Sequence, residues 1–134
     1  MIINELIGKI LIKIEQNNDA LYFHLTNGAI YKQHHRQDCC ECVDIEDING
    51  NLDDLLYYPL LQAEENTQED TNASESGTWT FYKFATINGY VTIRWYGSSN
   101  GYYSETAEIE KIKEEDPIKE QRLKKLNILI DLYS

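Results

Sequence analysis

The sequence predicts an α+β domain that spans all 134 residues. Its body is a mostly antiparallel, curved sheet of two β-meanders. A short mid-chain helix and a C-terminal helix accompany this sheet. Two observations predict this class. Asn-Gly dipeptides, the strongest short hairpin signal, separate runs of alternating apolar and polar residues. An Asp-Pro pair near the end of the chain is typical of a helix start.

The first meander is predicted from three short strands. Isoleucine recurs at every second position from Ile10 to Glu15, which indicates a strand. After a polar turn, apolar side chains alternate again from Ala20 to Thr26. Asn27-Gly28 then predicts a hairpin turn into a third strand, from Ala29 to His35.

The middle of the chain is predicted to hold a short strand, a short helix and a loop. Val43 and Ile45 alternate with acidic residues and indicate the strand. Asn51 is a suitable N-cap for a helix beginning at Leu52, because the helix dipole favours the carboxylates that follow in its first turn. The segment from about 66 to 77 is polar and lacks large apolar side chains, which predicts a solvated acidic loop.

The second meander is predicted over Thr78 to Ile109, with turns at Asn88-Gly89 and Asn100-Gly101. Its side chains are largely β-branched or aromatic, as suits a pleated surface. Alternation assigns Val91, Ile93 and Trp95 to the core face of the middle strand. The opposite face either covers a second layer or binds a partner, and it holds Tyr90, Thr92, Arg94 and Tyr96.

The C-terminal helix is predicted over about 116–132. Asp116 is suited to the N-cap and Pro117 to the first helical position. An apolar stripe follows, with basic residues on the exposed side. This helix either packs on the sheet of its own chain or pairs with a partner or a second copy.

The acidity of the chain is regional. Net charge is −11, and the segment from Gln37 to Tyr82 holds 12 of the 23 acidic residues but none of the 12 basic ones. Such a region disfavours nucleic acid as a direct ligand, because that binding requires cations to replace counterions. It favours a protein with a basic surface.

The sequence also bears on the location of the protein. No window has the roughly 18 apolar residues of a membrane span, and the first residues lack the features of a signal peptide. The three cysteines are clustered and odd in number, which does not indicate a disulfide framework. We therefore expect a cytoplasmic protein with reduced thiols that makes no membrane contact.

The candidate partner-binding residues lie mainly in the acidic segment. Carboxylates on a strand repeat at about 3.3 Å per residue, close to the roughly 3.4 Å between phosphates along one DNA strand. The acids could therefore imitate nucleic acid towards a host protein, with two tyrosines as aromatic anchors. The predicted residues are Glu41, Asp44, Glu46, Asp47, Asp53, Asp54, Tyr102 and Tyr103.

A zinc-binding module is the alternative interpretation. The run from His34 to Asp47 is dense in potential ligands, and His34, His35, Cys39 and Cys42 are the candidate set. The spacing argues against it, because adjacent cysteines point to opposite faces of a strand and no C-x-x-C pair is present. Otherwise no cofactor is expected. No catalytic motif is present either, so the sequence does not indicate an enzyme.

Two long runs carry a resemblance to a known family. QDCCECVDIEDINGNLDDL and TWTFYKFATINGYVTIRWYGSSNGYYSE resemble small acidic proteins of bacteriophages and related mobile elements, catalogued as a domain of unknown function. The resemblance covers about Leu6 to Ile109. It implies a phage setting and brings no catalytic residues. Small acidic phage proteins are commonly stoichiometric inhibitors of host machinery, including anti-CRISPR proteins, and by that analogy we expect an inhibitor.

Overall fold

The computed structural model describes residues 2–118, which form eight strands and two short 3₁₀-helices. The helices are η1 (Ile2–Leu6) and η2 (Leu52–Leu55). The strands are β1 (Leu11–Gln16), β2 (Ala20–Leu25), β3 (Ile30–His34), β4 (Cys42–Asn49), β5 (Gln62–Glu69), β6 (Ser76–Thr86), β7 (Gly89–Ser99) and β8 (Glu108–Lys113).

The strands form two separate four-stranded sheets. The first has the order β1-β2-β3-β8 and the second the order β4-β7-β6-β5. All neighbouring strands are antiparallel. The first three strands make the meander that the sequence predicts, and Gly28 occupies the left-handed region (φ 91°) that the β2–β3 turn requires.

The second meander differs from its prediction at the third strand. β6 and β7 form the predicted hairpin, although its turn residues are Ile87 and Asn88 and Gly89 already begins β7. After Ser99 the chain leaves this sheet and crosses to the other one, where β8 pairs with β3. Gly97 permits the crossing, because a Cβ there would collide with the backbone of Glu105.

The predicted acidic loop over 66–77 is wrong over much of its length. Residues 66–69 belong to β5 and residues 76–77 to β6, so that a short turn joins the two strands. The polar sequence misleads because β5 is an edge strand. Most of its side chains are exposed, and charged or polar residues there discourage pairing with other chains.

The predicted α+β class is wrong, because residues 2–118 form two antiparallel sheets accompanied by two short 3₁₀-helices. The mid-chain helix begins where predicted, and the Asn51 side chain accepts a hydrogen bond from the Asp53 amide (3.0 Å). It ends after one turn as η2. The predicted C-terminal helix over 116–132 falls mostly on residues outside 2–118.

One hydrophobic core lies between the two sheets. Phe23 of the first sheet contacts Phe84 of the second, with ring centroids 5.4 Å apart. The face assignment for β7 is confirmed, since Val91, Ile93 and Trp95 are all buried. Trp95 also bridges the sheets, because its Nε1 donates a 2.6 Å hydrogen bond to Oε1 of Gln33. The outer faces of the sheets are therefore what the molecule presents to a partner.

Candidate functional site

The exposed acids follow β4, an edge strand of the second sheet. Asp44, Glu46 and Asp47 are all exposed. A β-bulge lies between Ile45 and Asp47, and it places Asp44 opposite Tyr96 and Asp47 opposite Arg94. Those two residues of β7 point away from the core, so Asp44 lies on the outer side of the sheet and the bulge brings Asp47 to the same side.

The row of acids continues beyond the end of β4. Asp53 is exposed and Asp54 half-buried in η2, which follows β4 after the turn at Gly50. The Asp54 carbonyl accepts a 2.5 Å hydrogen bond from the Thr86 hydroxyl, which holds η2 against the β6–β7 hairpin. We call Asp44, Glu46, Asp47, Asp53 and Asp54 the acidic edge.

One basic residue meets the acidic edge. The Nε atom of Arg94 lies 2.8 Å from Oε1 of Glu46, and both side chains are partly exposed. This pair neutralises a single carboxylate. The other members of the acidic edge have no ion pair among residues 2–118 within 4.0 Å, so the edge keeps a strong negative potential.

The structure places Glu41 in the interior, apart from the other predicted partner-binding acids. Glu41 is only 2% exposed. Its carboxylate accepts hydrogen bonds from the His35 ring (2.9 Å) and from the backbone amides of Asp38 (3.0 Å) and Cys39 (2.8 Å). Burial opposes ionisation, but these donors outweigh it and lower the pKa of Glu41 to about 2. Glu41 therefore fixes the loop between β3 and β4.

His35 completes this internal cluster. Its Nδ1 atom lies 2.9 Å from the carbonyl oxygen of Thr106, and its Nε2 lies 2.9 Å from Oε2 of Glu41. The ring thus lies between a backbone carbonyl and a carboxylate. The His35 side chain is 4% exposed. It ties the β3–β4 loop to the crossing that leads into β8.

The two predicted aromatic anchors lie beside the start of β4. Tyr102 is 83% exposed and Tyr103 is half-buried, and their rings meet edge to face with centroids 5.0 Å apart. The carbonyl of Tyr103 accepts a hydrogen bond from Ser99 (3.4 Å), close to where Ser98 pairs with Cys42. Tyr103 also lines a surface cavity of about 490 Å³ with Cys40, Cys42, Glu75 and Asn100.

The four candidate zinc ligands from the sequence do not converge. Cys39 and Cys40 are adjacent, with their sulfurs in contact with each other, and Cys42 is free and exposed. His35 is engaged with Glu41. His34 lies instead beside two acids of β8, and its Nε2 is 3.4 Å from Glu110 and 3.9 Å from Glu108.

Sequence reasoning missed two carboxylate clusters, because both depend on β8 or the crossing before it. Glu105 is buried and accepts hydrogen bonds from the hydroxyl groups of Ser76 (3.1 Å), Thr78 (2.9 Å) and Ser99. Burial alone would raise its pKa, but these donors lower it. The second cluster is that of His34, whose signal in the sequence is the alternation Glu108-Ile109-Glu110.

The comparisons with known proteins give one match. A family model described as Domain of unknown function (DUF7448) matches residues 4–109. This span includes both sheets up to the first residues of β8, and it contains the acidic edge. No curated protein and no solved structure matches the chain. No helix within residues 2–118 is long and apolar enough to cross a membrane.

The prediction of an uncharacterised family is confirmed, over nearly the range that the two quoted runs indicated. Because the match covers most of the 134 residues, the chain belongs to the family described as Domain of unknown function (DUF7448).

Proposed function

We propose that this chain is a bacteriophage or mobile-element accessory protein that binds a host protein and inhibits it stoichiometrically. The target has a basic surface that normally contacts nucleic acid, and a defence nuclease such as a CRISPR effector is the natural example. The acidic edge takes the place of a row of phosphates. The phage setting rests on the family resemblance, and the binding mode rests on the geometry.

The observation that best supports this binding mode is the placement of the acidic edge. A regular strand would send alternate acids to opposite faces. The bulge in β4 instead brings Asp44 and Asp47 to the same outer side, and η2 extends the row with Asp53. Carboxylates fixed on paired backbone keep their spacing when a partner approaches, which lowers the ordering cost of binding.

The exposed tyrosine supports the same surface. Tyr102 follows the end of β7 that pairs with the start of β4, and its ring meets that of Tyr103 edge to face. Aromatic side chains that are exposed in the free protein often become binding hot spots once desolvated. The proposed interface thus combines an aromatic anchor at one end with carboxylates along its length.

The first experiment is an affinity pull-down of the tagged protein from host lysate, washed at low and at high salt. We expect a protein with a basic, nucleic-acid-binding surface that is retained at low salt and released at high salt. Retention of a partner that is insensitive to salt would contradict binding through the acidic edge.

Charge reversal then locates the interface on the purified target. The triple variant Asp44→Lys, Asp47→Lys and Asp53→Lys should lower the association rate by at least about tenfold, because steering depends on these charges. The matched control reverses three exposed acids away from this surface, Glu64 and Glu69 on the opposite edge strand β5 and Glu114 just after β8. It changes the net charge equally, so an equal loss in both variants would refute a localised interface.

An acidic edge strand also discourages edge-to-edge aggregation. The same two variants separate this role from partner binding. If the first triple variant aggregates while its affinity for the target is unchanged, the acids protect the edge strand and the proposed interface is wrong.

A further inference from the structure

A cluster of three potential metal ligands lies where β8 joins the first sheet. His34 of β3 pairs with Glu108, and Glu110 follows two residues later on the same face of β8. One ligand atom from each of these three residues lies within 4.8 Å of the other two. The pairing of β3 with β8, rather than a local sequence motif, builds this site.

His34 has a ring nitrogen that is available to bind a metal ion. The residue is 8% exposed, and its Nε2 atom is buried without a hydrogen-bond partner among residues 2–118. A buried ring nitrogen in this state carries a desolvation cost. An imidazole nitrogen that is left unpaired in this way is available to bind a metal ion.

The spacing of the ligand atoms fits a tetrahedral zinc ion. Metal–ligand distances of about 2.1 Å imply about 3.4 Å between any two ligand atoms of a tetrahedron. Nε2 of His34 lies 3.4 Å from Oε1 of Glu110 and 3.9 Å from Oε1 of Glu108. The first distance already matches, and a rotation of the exposed Glu108 side chain would close the second.

Arg36 is the group that an ion would have to compete with. Its Nη2 lies 3.0 Å from Oε2 of Glu110 and its Nε 3.8 Å from Glu108. The Arg36 side chain is 74% exposed, so it can swing away at little cost. Arg36 approaches the Oε2 atom of Glu110 and leaves Oε1, which faces His34, for a metal ion.

The cluster is also accessible from solvent. Glu108 and Arg36 line a cavity of about 190 Å³ together with Ser104 and Thr106. The Glu108 ligand is therefore open to solvent, and water could occupy a fourth ligand position. Three protein ligands with one open position are a common zinc arrangement.

We propose that His34, Glu108 and Glu110 bind one Zn²⁺ ion per chain. One imidazole and two carboxylates suit this borderline ion, whereas Ca²⁺ and Mg²⁺ prefer six or more oxygen ligands or retained water. The proposal replaces the cysteine-containing set and does not depend on the proposed function. The ion would cross-link β3 and β8, so that zinc stabilises the fold by linkage.

The test is a calorimetric titration of tag-free, chelator-treated protein with Zn²⁺, together with melting curves. We expect one zinc ion per chain and a rise in Tm at saturating zinc. His34→Gln and Glu110→Gln should each weaken binding by more than the about 10- to 100-fold that outer-shell partners typically cost. The controls Cys42→Ser and Glu114→Gln, which alter an exposed thiol and a nearby exposed acid, should bind as the wild type does.

Two further measurements keep the test decisive if a ligand variant fails to fold. Arg36→Gln removes a competing cation and should bind zinc more tightly than the wild type. Co²⁺ in place of Zn²⁺ should give the visible spectrum of a tetrahedral nitrogen and oxygen site, without thiolate charge-transfer bands. The proposal is overturned if zinc causes no change in Tm, if thiolate bands appear, or if Cys42→Ser abolishes binding.

Discussion

Replacing Trp95 with phenylalanine should destabilise the fold substantially, because Trp95 joins the two sheets. Trp95 is 1% exposed, and its Nε1 donates to Oε1 of Gln33 across the core (2.6 Å). Phenylalanine would leave that buried oxygen unpaired, at a cost of about 1–3 kcal/mol. The smaller ring also loses buried area and leaves a cavity, which adds about 1–2 kcal/mol.

The expected total is a loss of about 2–5 kcal/mol in the free energy of unfolding. Urea unfolding followed by far-ultraviolet circular dichroism measures it without relying on the altered fluorescence. Trp79→Phe is the matched control, because Trp79 is half-buried on the outer face against Tyr96. The same chemical change there should cost less than about 1 kcal/mol.

A double-mutant cycle with Gln33→Leu isolates the hydrogen bond. Gln33→Leu alone leaves the indole N–H of Trp95 unpaired, although it also removes a buried Gln33 amide nitrogen that has no partner among residues 2–118. The double variant leaves neither bridging atom unpaired. The double variant should therefore lose less free energy of unfolding than the two single variants lose together, by at least about 1 kcal/mol. The bridging role would be refuted if the losses in unfolding free energy were additive in the cycle. It would also be refuted if Trp79→Phe and Trp95→Phe destabilised the fold equally.

Three further predictions concern other parts of the molecule. Glu41, whose folded pKa of about 2 lies below the ordinary value of 4.5, stabilises the fold above pH 4.5 and loses that contribution as the pH falls towards 2. The urea midpoint should fall over this interval more steeply in the wild type than in Glu41→Gln, and equal slopes would contradict the buried cluster. Gly97→Ala should cost at least about 1–3 kcal/mol, because its Cβ meets the Glu105 backbone; a change within about 0.5 kcal/mol in urea unfolding would exclude this crossing. Tyr102→Ala should leave the unfolding free energy within about 0.5 kcal/mol of the wild type yet weaken target binding in a titration by at least about tenfold, and an unchanged Kd would remove Tyr102 from the interface.

The local features of the fold could be predicted from the sequence. The hairpins signalled by Asn27-Gly28 and Asn88-Gly89 are both present, because neighbouring residues determine turn chemistry, although the second turns one residue early at Ile87-Asn88. Asn100-Gly101 has the same chemistry but does not start a strand in the same sheet. The reason is distant in sequence and steric, since the backbone of Glu105 packs directly against Gly97.

The bulge in β4 could have been predicted from the spacing of apolar residues in the sequence. Apolar residues occur at Val43, Ile45 and Ile48, and the spacing of two followed by three is the pattern of one inserted residue. This spacing predicts that the acids between Ile45 and Ile48 change their alternation. The orientation of Asp44 and Asp47 is therefore encoded locally.

The roles of individual acids could not be predicted in this way. Glu41 and Asp44 are three residues apart in one acidic run, yet one is buried and the other exposed. The difference arises because the His35 ring and two backbone amides surround the Glu41 carboxylate. His34 and Glu108 are likewise neighbours through sheet pairing alone. Side chains that depend on long-range pairing carry no such local pattern.

The position of β8 has a consequence for how the chain folds. All strands of the second sheet come from one continuous stretch, residues 42–99, whereas the first sheet needs β8 from beyond that stretch. Strands β5, β6 and β7 of the second sheet can therefore form from successive hairpins, and β4 pairs with β7 within the same stretch. In contrast, β3 must wait for a partner roughly 75 residues downstream, and such distant pairing is slow. Until β8 arrives, β3 is an open edge with unpaired amides and carbonyls. During synthesis this edge is open to pairing with other chains, and a chain cut before Glu108 would keep it open permanently.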